Sequence, residues 1–244
     1  RWGFFPSAGA AWVMSNEPWF KSLKKTVDNL KFRVSYGLVG NDKIGSEKNR
    51  FYYLSEMNME SKNLAASFGE LCGHTYKGID VVRYANEAIT WERSYKTNYA
   101  VELGLFDNFD LIAEYFTERR KDIFMTRADV PETMGLQAGI SANIGEARAH
   151  GVDLQAEYQK VWNKDFWTSA RANFTWSTGK YDVYEEPTYP EKYRQHAGYS
   201  IKQTWGYIAE RLFIDDEEAA NSPDQTSFGS QYGGGDIKYT DVNG

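Results

Sequence analysis

The sequence holds one cysteine, Cys72, so no intrachain disulfide can staple it. Cys72 belongs to a lone Cys72-Gly73-His74, with no second Cys/His pair nearby to complete a metal set; an isolated loop thiol is the simpler reading. No apolar run reaches the roughly 18 residues that a membrane-crossing helix requires, and mean hydropathy is −0.63. Positive charge is not in excess: the formal net charge of −6 argues against phosphate-backbone binding, so nucleic acid is not an expected partner. A secretion signal is also missing, since Arg1-Trp2-Gly3-Phe4-Phe5-Pro6 offers no basic region, apolar stretch and cleavage site. Either the mature protein is cytosolic or the sequence begins partway through a larger one. The far end, Asp241-Val242-Asn243-Gly244, reads as the opening of an acidic turn and favours the second.

None of these absences excludes a membrane. A transmembrane strand needs only about 9–11 residues, of which every second one is apolar, so hydropathy averages its signal away. Period two is what dominates here. Leu30, Phe32, Val34, Tyr36 and Leu38 fall on one face of a strand, with Lys31, Arg33, Ser35 and Gly37 on the other; a helix would scatter them. Tyr95, Thr97, Tyr99, Val101, Leu103 and Leu105 repeat the pattern against Lys96, Asn98, Ala100, Glu102 and Gly104. Asp107-Asn108 supplies a tight turn, because Asp and Asn tolerate the positive φ of such hairpins. The return strand places Phe109, Leu111, Ala113 and Tyr115 opposite Asp110 and Glu114, although Ile112 and Phe116 intrude on the polar side.

A second hairpin carries Val152, Leu154, Ala156 and Tyr158, turns near Asn163-Lys164, and returns with Phe166, Ala170, Ala172, Phe174 and Trp176. Ala8, Ala10, Trp12 and Met14 give a weaker stripe near the start. Six strands are thus legible. Their connections are asymmetric: short at Asp107-Asn108 and Asn163-Lys164, long at Gly40 to Ile89, Thr126 to Ala138 and Tyr181 to Tyr199. Outer-membrane barrels have this asymmetry, with short periplasmic turns and long extracellular loops.

The polar faces carry Lys31, Arg33, Glu102, Glu114, Asp153, Glu157 and Arg171, which demand water or a wet lumen. The apolar faces demand a protein core or lipid, and a soluble β-sandwich satisfies both requirements. Aromatic placement favours the barrel: Tyr95, Tyr115, Tyr158, Phe166 and Trp176 border the apolar stripes, where membrane interfaces prefer such rings.

Several segments resemble the SusC/RagA family of TonB-dependent outer-membrane transporters. They are Arg1-Trp2-Gly3-Phe4-Phe5-Pro6-Ser7, Leu30 to Gly37 with Gly40-Asn41-Asp42, and Trp91-Glu92-Arg93 with Leu103 to Asn108. Asn143-Ile144-Gly145-Glu146, Gly151-Val152-Asp153-Leu154 and Gly235 to Gly244 complete the set. The resemblance implies a barrel of about 22 strands with a plug inside. It also implies energy supplied through the TonB system, a SusD-like surface lipoprotein partner, and a glycan or peptide substrate. On this reading residues 1–244 are part of a receptor barrel domain, with no plug and no final strands in the chain. The expectation is an all-β, antiparallel transmembrane β-barrel segment of about six to nine strands, with long extracellular loops, set in outer-membrane lipid. The rival is a soluble β-rich surface module that binds glycans.

Chemistry-bearing clusters are sparse. Glu185-Glu186 and Asp215-Asp216-Glu217-Glu218 offer paired carboxylates, as a glycoside hydrolase needs, but adjacent loop residues point apart and solvated loop charge explains them better. Gly233-Gly234-Gly235 lacks a following helix to cradle a phosphate, and Asp241-x-Asn243-Gly244 lacks the remaining ligands of a calcium loop. His150 and His196 stand alone. No catalytic residue, cofactor or metal is therefore expected. Substrate contact should come from loop aromatics, and the candidates are Tyr52, Tyr53, Tyr184, Tyr189, Tyr193 and Trp205.

Overall fold

The computed structural model describes residues 2–43, 51–229 and 231–242. They form two units, residues 1–201 and 202–244. The first is built on β1 (Ser7–Val13), β2 (Val27–Asn41), β3 (Glu56–Phe68), β4 (His74–Arg83), β5 (Glu92–Leu105), β6 (Phe109–Thr126), β7 (Ser141–Val161) and β8 (Trp167–Val183). Six of these make one sheet in the order β1-β2-β5-β6-β7-β8. Every pairing is antiparallel. These are the six strands that the alternation marks.

Register keeps the two faces apart across the whole sheet. One row reads Trp12, Phe32, Val101, Ala113, Leu154, Phe174, and the next on that face reads Ala10, Val34, Tyr99, Tyr115, Val152, Trp176. Among the described residues of the first unit no second layer covers this face: Phe32, Leu154, Phe174 and Trp176 are 38, 37, 58 and 49% exposed. A soluble sandwich would bury these side chains, so the sandwich reading is overturned. The apolar belt runs along β6 from Phe109 to Tyr115, about 15 Å tall at a typical barrel tilt.

Its borders are aromatic. Tyr99, Tyr115 and Trp176 share one row at the upper edge, and Phe109 pairs with Tyr158 at the lower. Tyr95 does not belong to this girdle; it lies two rows farther out, beside Arg119. Phe166 lies in the turn before β8. The intrusion of Phe116 has a local cause: its ring covers Gly151, where a Cβ would come within 2.5 Å of it.

The strands are longer than their apolar stripes, with 18 residues in β6, 21 in β7 and 17 in β8. Beyond Thr117 pairing continues while both faces turn polar, so alternation vanishes although the ladder does not. The β5–β6 turn is also displaced by one residue from Asp107-Asn108. Its left-handed pair is Phe106 (φ 57°) and Asp107 (φ 55°), and the Asn108 amide closes back on the Phe106 carbonyl.

The long connections lie at one end of the sheet, with the Gly40 to Ile89 segment carrying the unforeseen β3–β4 hairpin; residues 44–50 lie outside the described set. The opposite end has the short turns, but also residues 14–26 with the 3-10 turns Met14–Asn16 and Pro18–Ser22, so the asymmetry is incomplete.

The second unit has β9 (Ala209–Leu212) paired with β10 (Ile237–Tyr239) and a single helical turn, α1 (Asp216–Ala220). Phe213 is buried in it, and Tyr207, Phe228 and Tyr239 form an aromatic trio with centroids 4.2–5.5 Å apart.

Candidate functional site

The polar face of the sheet is a ladder of charge. Arg33 Nε lies 2.6 Å from Glu102 Oε1, and its Nη2 donates to Glu114 Oε1 at 2.6 Å. Lys31 Nζ approaches Glu102 Oε2 at 3.3 Å, and Asn98 Nδ2 donates to Glu114 Oε2 at 2.9 Å. Farther along, Glu118 accepts from Ser94 Oγ and Arg120 Nη2 at 2.8 and 3.1 Å. Arg171 pairs with Glu157 at 3.0 Å. Strand alternation alone puts these groups together, because charged residues recur at every second position of neighbouring strands in register. Asp153 Oδ1 is shut off from water with no hydrogen-bond partner among the described residues. A face this polar, backed by an apolar face open to its surroundings, is the wall of a water-filled barrel.

The loop candidates separate into distinct places. Tyr52 is half-buried: its ring lies 4.6 Å from that of Phe124 and under the Arg83 guanidinium. Tyr53 stands 53% exposed beside Phe51. Tyr184 stacks on His196 at 5.1 Å and leans on Tyr181 at 4.9 Å. Tyr189 carries the Arg194 guanidinium over its face at 4.4 Å, and Tyr193 is 48% exposed. Trp205 lies in the second unit, also exposed. The structure thus joins Tyr184, Tyr189 and Tyr193 on the loop after β8 and sets Tyr52 and Tyr53 on the connection leading to β3.

The acidic clusters are solvent-facing in part, as at the exposed Asp215, Asp216 and Glu217, but several of their carboxylates also fasten the chain locally. Glu185 accepts from Arg127 Nε at 2.6 Å, tying the loop after β8 to the connection after β6. That contact, with neighbouring backbone N–H groups, holds its pKa below the ordinary carboxylate value. Glu186 accepts from the His196 and Ala197 N–H groups and meets His196 Nδ1 at 2.9 Å. Burial pushes its pKa up, but these hydrogen bonds outweigh burial and leave it depressed.

In the second unit Asp215 caps α1 by accepting from Glu218 N, while Arg211, the Ile214 N–H and Lys238 converge on Glu218. Arg211 above all pulls that carboxyl to about 2. The glycine run is spoken for as well, since Gly233 N and Gly234 N donate to Asp236 and Asp216. Cys72 is exposed in the β3–β4 turn with φ 50°. No cluster of three metal-ligating side chains exists among the described residues, and Asn243 and Gly244 lie outside them. The sequence reading missed Arg127 and His196 as loop anchors, for their partners are 58 and 10 residues away and carry no local signal.

Fold and faces define a class: a stretch of wall from an outer-membrane β-barrel, polar within and apolar without. The chain belongs to the family of TonB dependent receptor-like β-barrels, whose model matches residues 1–243. It is 29% identical over 181 residues to TonB-dependent receptor P3 of Formosa agariphila, a match covering 74% of this chain and 17% of that protein. With TonB-dependent receptor SusC of Bacteroides thetaiotaomicron it shares 26% identity over 179 residues, 72% of this chain and 17% of SusC. Among solved structures it resembles the RagAB peptide importer in its open-open state with a TM-score of 0.64 and 20% identity, covering 87% of this chain and 22% of that one. The chain therefore spans about a fifth of the length of the proteins it matches.

Proposed function

We propose that this chain is part of the barrel wall of an outer-membrane importer driven through TonB, carrying oligosaccharides or peptides and lidded by a SusD-like surface lipoprotein. It is a conduit rather than an enzyme. The observation that carries the reading is the pairing of faces in one sheet: Arg33, Glu102 and Glu114 linked on one side, Phe32, Leu154 and Phe174 uncovered on the other. The relatives' names, a receptor called SusC and a peptide importer, support import of a polymeric nutrient. A plug from elsewhere in the parent chain packs against the polar face.

On the loops of the first unit, Tyr53 and Tyr193 are the exposed aromatic faces that would meet a sugar ring or peptide side chain, whereas Tyr52 and Tyr184 hold their loops in shape. The test is uptake by cells carrying the parent transporter with and without this wall segment, on panels of oligosaccharides and of peptides as sole nutrient. Loss of growth on one panel supports the reading. Equal growth of both strains on every member of both panels overturns it.

A further inference from the structure

On the polar face, two adjacent rows set one aromatic ring among small and polar residues. The first reads Gly9, Ser35, Asn98, Phe116, Gly151, Ser177, and the next toward the long connections reads Ser7, Gly37, Lys96, Glu118, Ala149, Gly179. Phe116 is the only ring in either row, on the side of the sheet that faces water. Its half-buried ring lies across Gly151, where a Cβ would come within 2.5 Å of Cζ. The glycine is what lets the ring lie against the wall; any side chain at 151 would displace it.

Beside the ring the wall is hollowed. A trough of about 400 Å³ is lined on this face by Ser7, Gly9, Ser35, Gly37, Lys96 and Asn98. Asn98 is the register partner of Phe116, so ring and trough adjoin, about 5 Å apart from strand to strand. The charges nearby are largely answered within the wall. Glu118 accepts from Ser94 Oγ and Arg120 Nη2 at 2.8 and 3.1 Å, and lies 3.9 Å from Lys96 Nζ. What the trough presents to a ligand is therefore hydroxyls, an amide and one ammonium group on a side chain 53% exposed, next to an aromatic ring.

We propose that these two rows form a passage subsite for a neutral oligosaccharide moving between the plug and the wall. The C–H face of one sugar ring stacks on Phe116, and the hydroxyls of its neighbour hydrogen-bond to Ser7, Ser35, Asn98 and Lys96 in the trough. The inference rests on the importer reading above and narrows its cargo to sugars. Peptide fits this place poorly. β2, β5 and β6 are each paired on both sides, so their backbone groups are spent in the ladder and no extended strand can be added. The inward side chains of the trough are small or polar and offer no pocket to an apolar residue. One stacking surface with a few hydrogen bonds also holds weakly, as passage requires.

The test is uptake by cells carrying the full-length transporter. Initial rates are measured on neutral hexasaccharides of glucose, fructose, mannose and xylose and on hexapeptides of glycine and alanine, normalised to the amount of transporter in the outer membrane. Phe116→Ala should slow import of each hexasaccharide that the unaltered transporter takes by about 10-fold, and Ser35→Leu, which fills the trough, by about the same factor. Phe116→Tyr keeps the ring and should stay within about 2-fold of the unaltered rate. Phe116→Leu keeps apolar bulk without a ring face and should be as slow as the alanine variant. Full rates with leucine would make Phe116 a packing contact and overturn the proposal, as would unchanged rates in both Phe116→Ala and Ser35→Leu. Import of peptides alone by the unaltered transporter overturns this inference and leaves the importer reading standing; import of neither class overturns both. Should Phe116→Ala not reach the membrane, Ser35→Leu decides.

Discussion

Arg33 reaches Glu114 across an intervening strand, and it does so over Ala100. The register sets Arg33, Ala100 and Glu114 in one row, Ala100 is 3% exposed, and the ion pair closes above its methyl group at 2.6 Å. A larger residue here would stand where the bridge passes. Ala100→Leu in the full-length barrel is expected to lower stability by about 1–3 kcal/mol through overpacking alone. Urea unfolding followed by tryptophan fluorescence measures it; an unchanged midpoint would show that the space over residue 100 is not filled by the bridge.

The outward belt predicts a depth-dependent penalty. Leu154→Arg, mid-belt, should cost about 2–4 kcal/mol in lipid, and Thr178→Arg, above the girdle, only about 0–1 kcal/mol. Folding into liposomes of defined composition separates the two. Equal costs at both positions would remove the assignment of this face to lipid.

Phe106 holds a left-handed backbone conformation that a bulky side chain disfavours, and its ring is 59% exposed, so little burial is lost on replacing it. Phe106→Asn should raise stability by about 1 kcal/mol. A rise in the thermal midpoint of the refolded barrel checks this, and a fall would mean that the ring has a partner in the whole protein.

Glu186 fastens the loop after β8 through the N–H groups of His196 and Ala197. Its pKa is depressed in the folded state, so its contribution is complete above the ordinary carboxylate value and disappears as pH falls through the depressed one. Protease cleavage between residues 187 and 197 should therefore accelerate on acidification. Glu186→Gln should cleave fast at neutral pH and lose that pH dependence. Cleavage of the unaltered chain at a constant rate from pH 6 to pH 3 would refute the fastening role.

Alternation from Leu30 to Leu38 and from Val152 to Tyr158 sufficed to place six strands and sort their faces, because side-chain direction in a strand follows from position alone. It did not reveal the outer halves of β6 and β7, where stretches such as Glu118-Arg119-Arg120-Lys121 are polar on both faces and pairing leaves no hydropathic trace. Nor did it reveal β3 and β4, whose register is interrupted by bulges between Ser61 and Ala66.

The sequence by itself determined which side of each ribbon is oily and which is wet, since both are set by chemistry at alternate positions. Only the tertiary structure decided that no second layer covers the oily side among the described residues of the first unit, and that Arg127 meets Glu185 and Arg119 stands beside Arg148. Those relations depend on register between strands distant in sequence, fixed by hydrogen bonding along the ladder rather than by any local pattern.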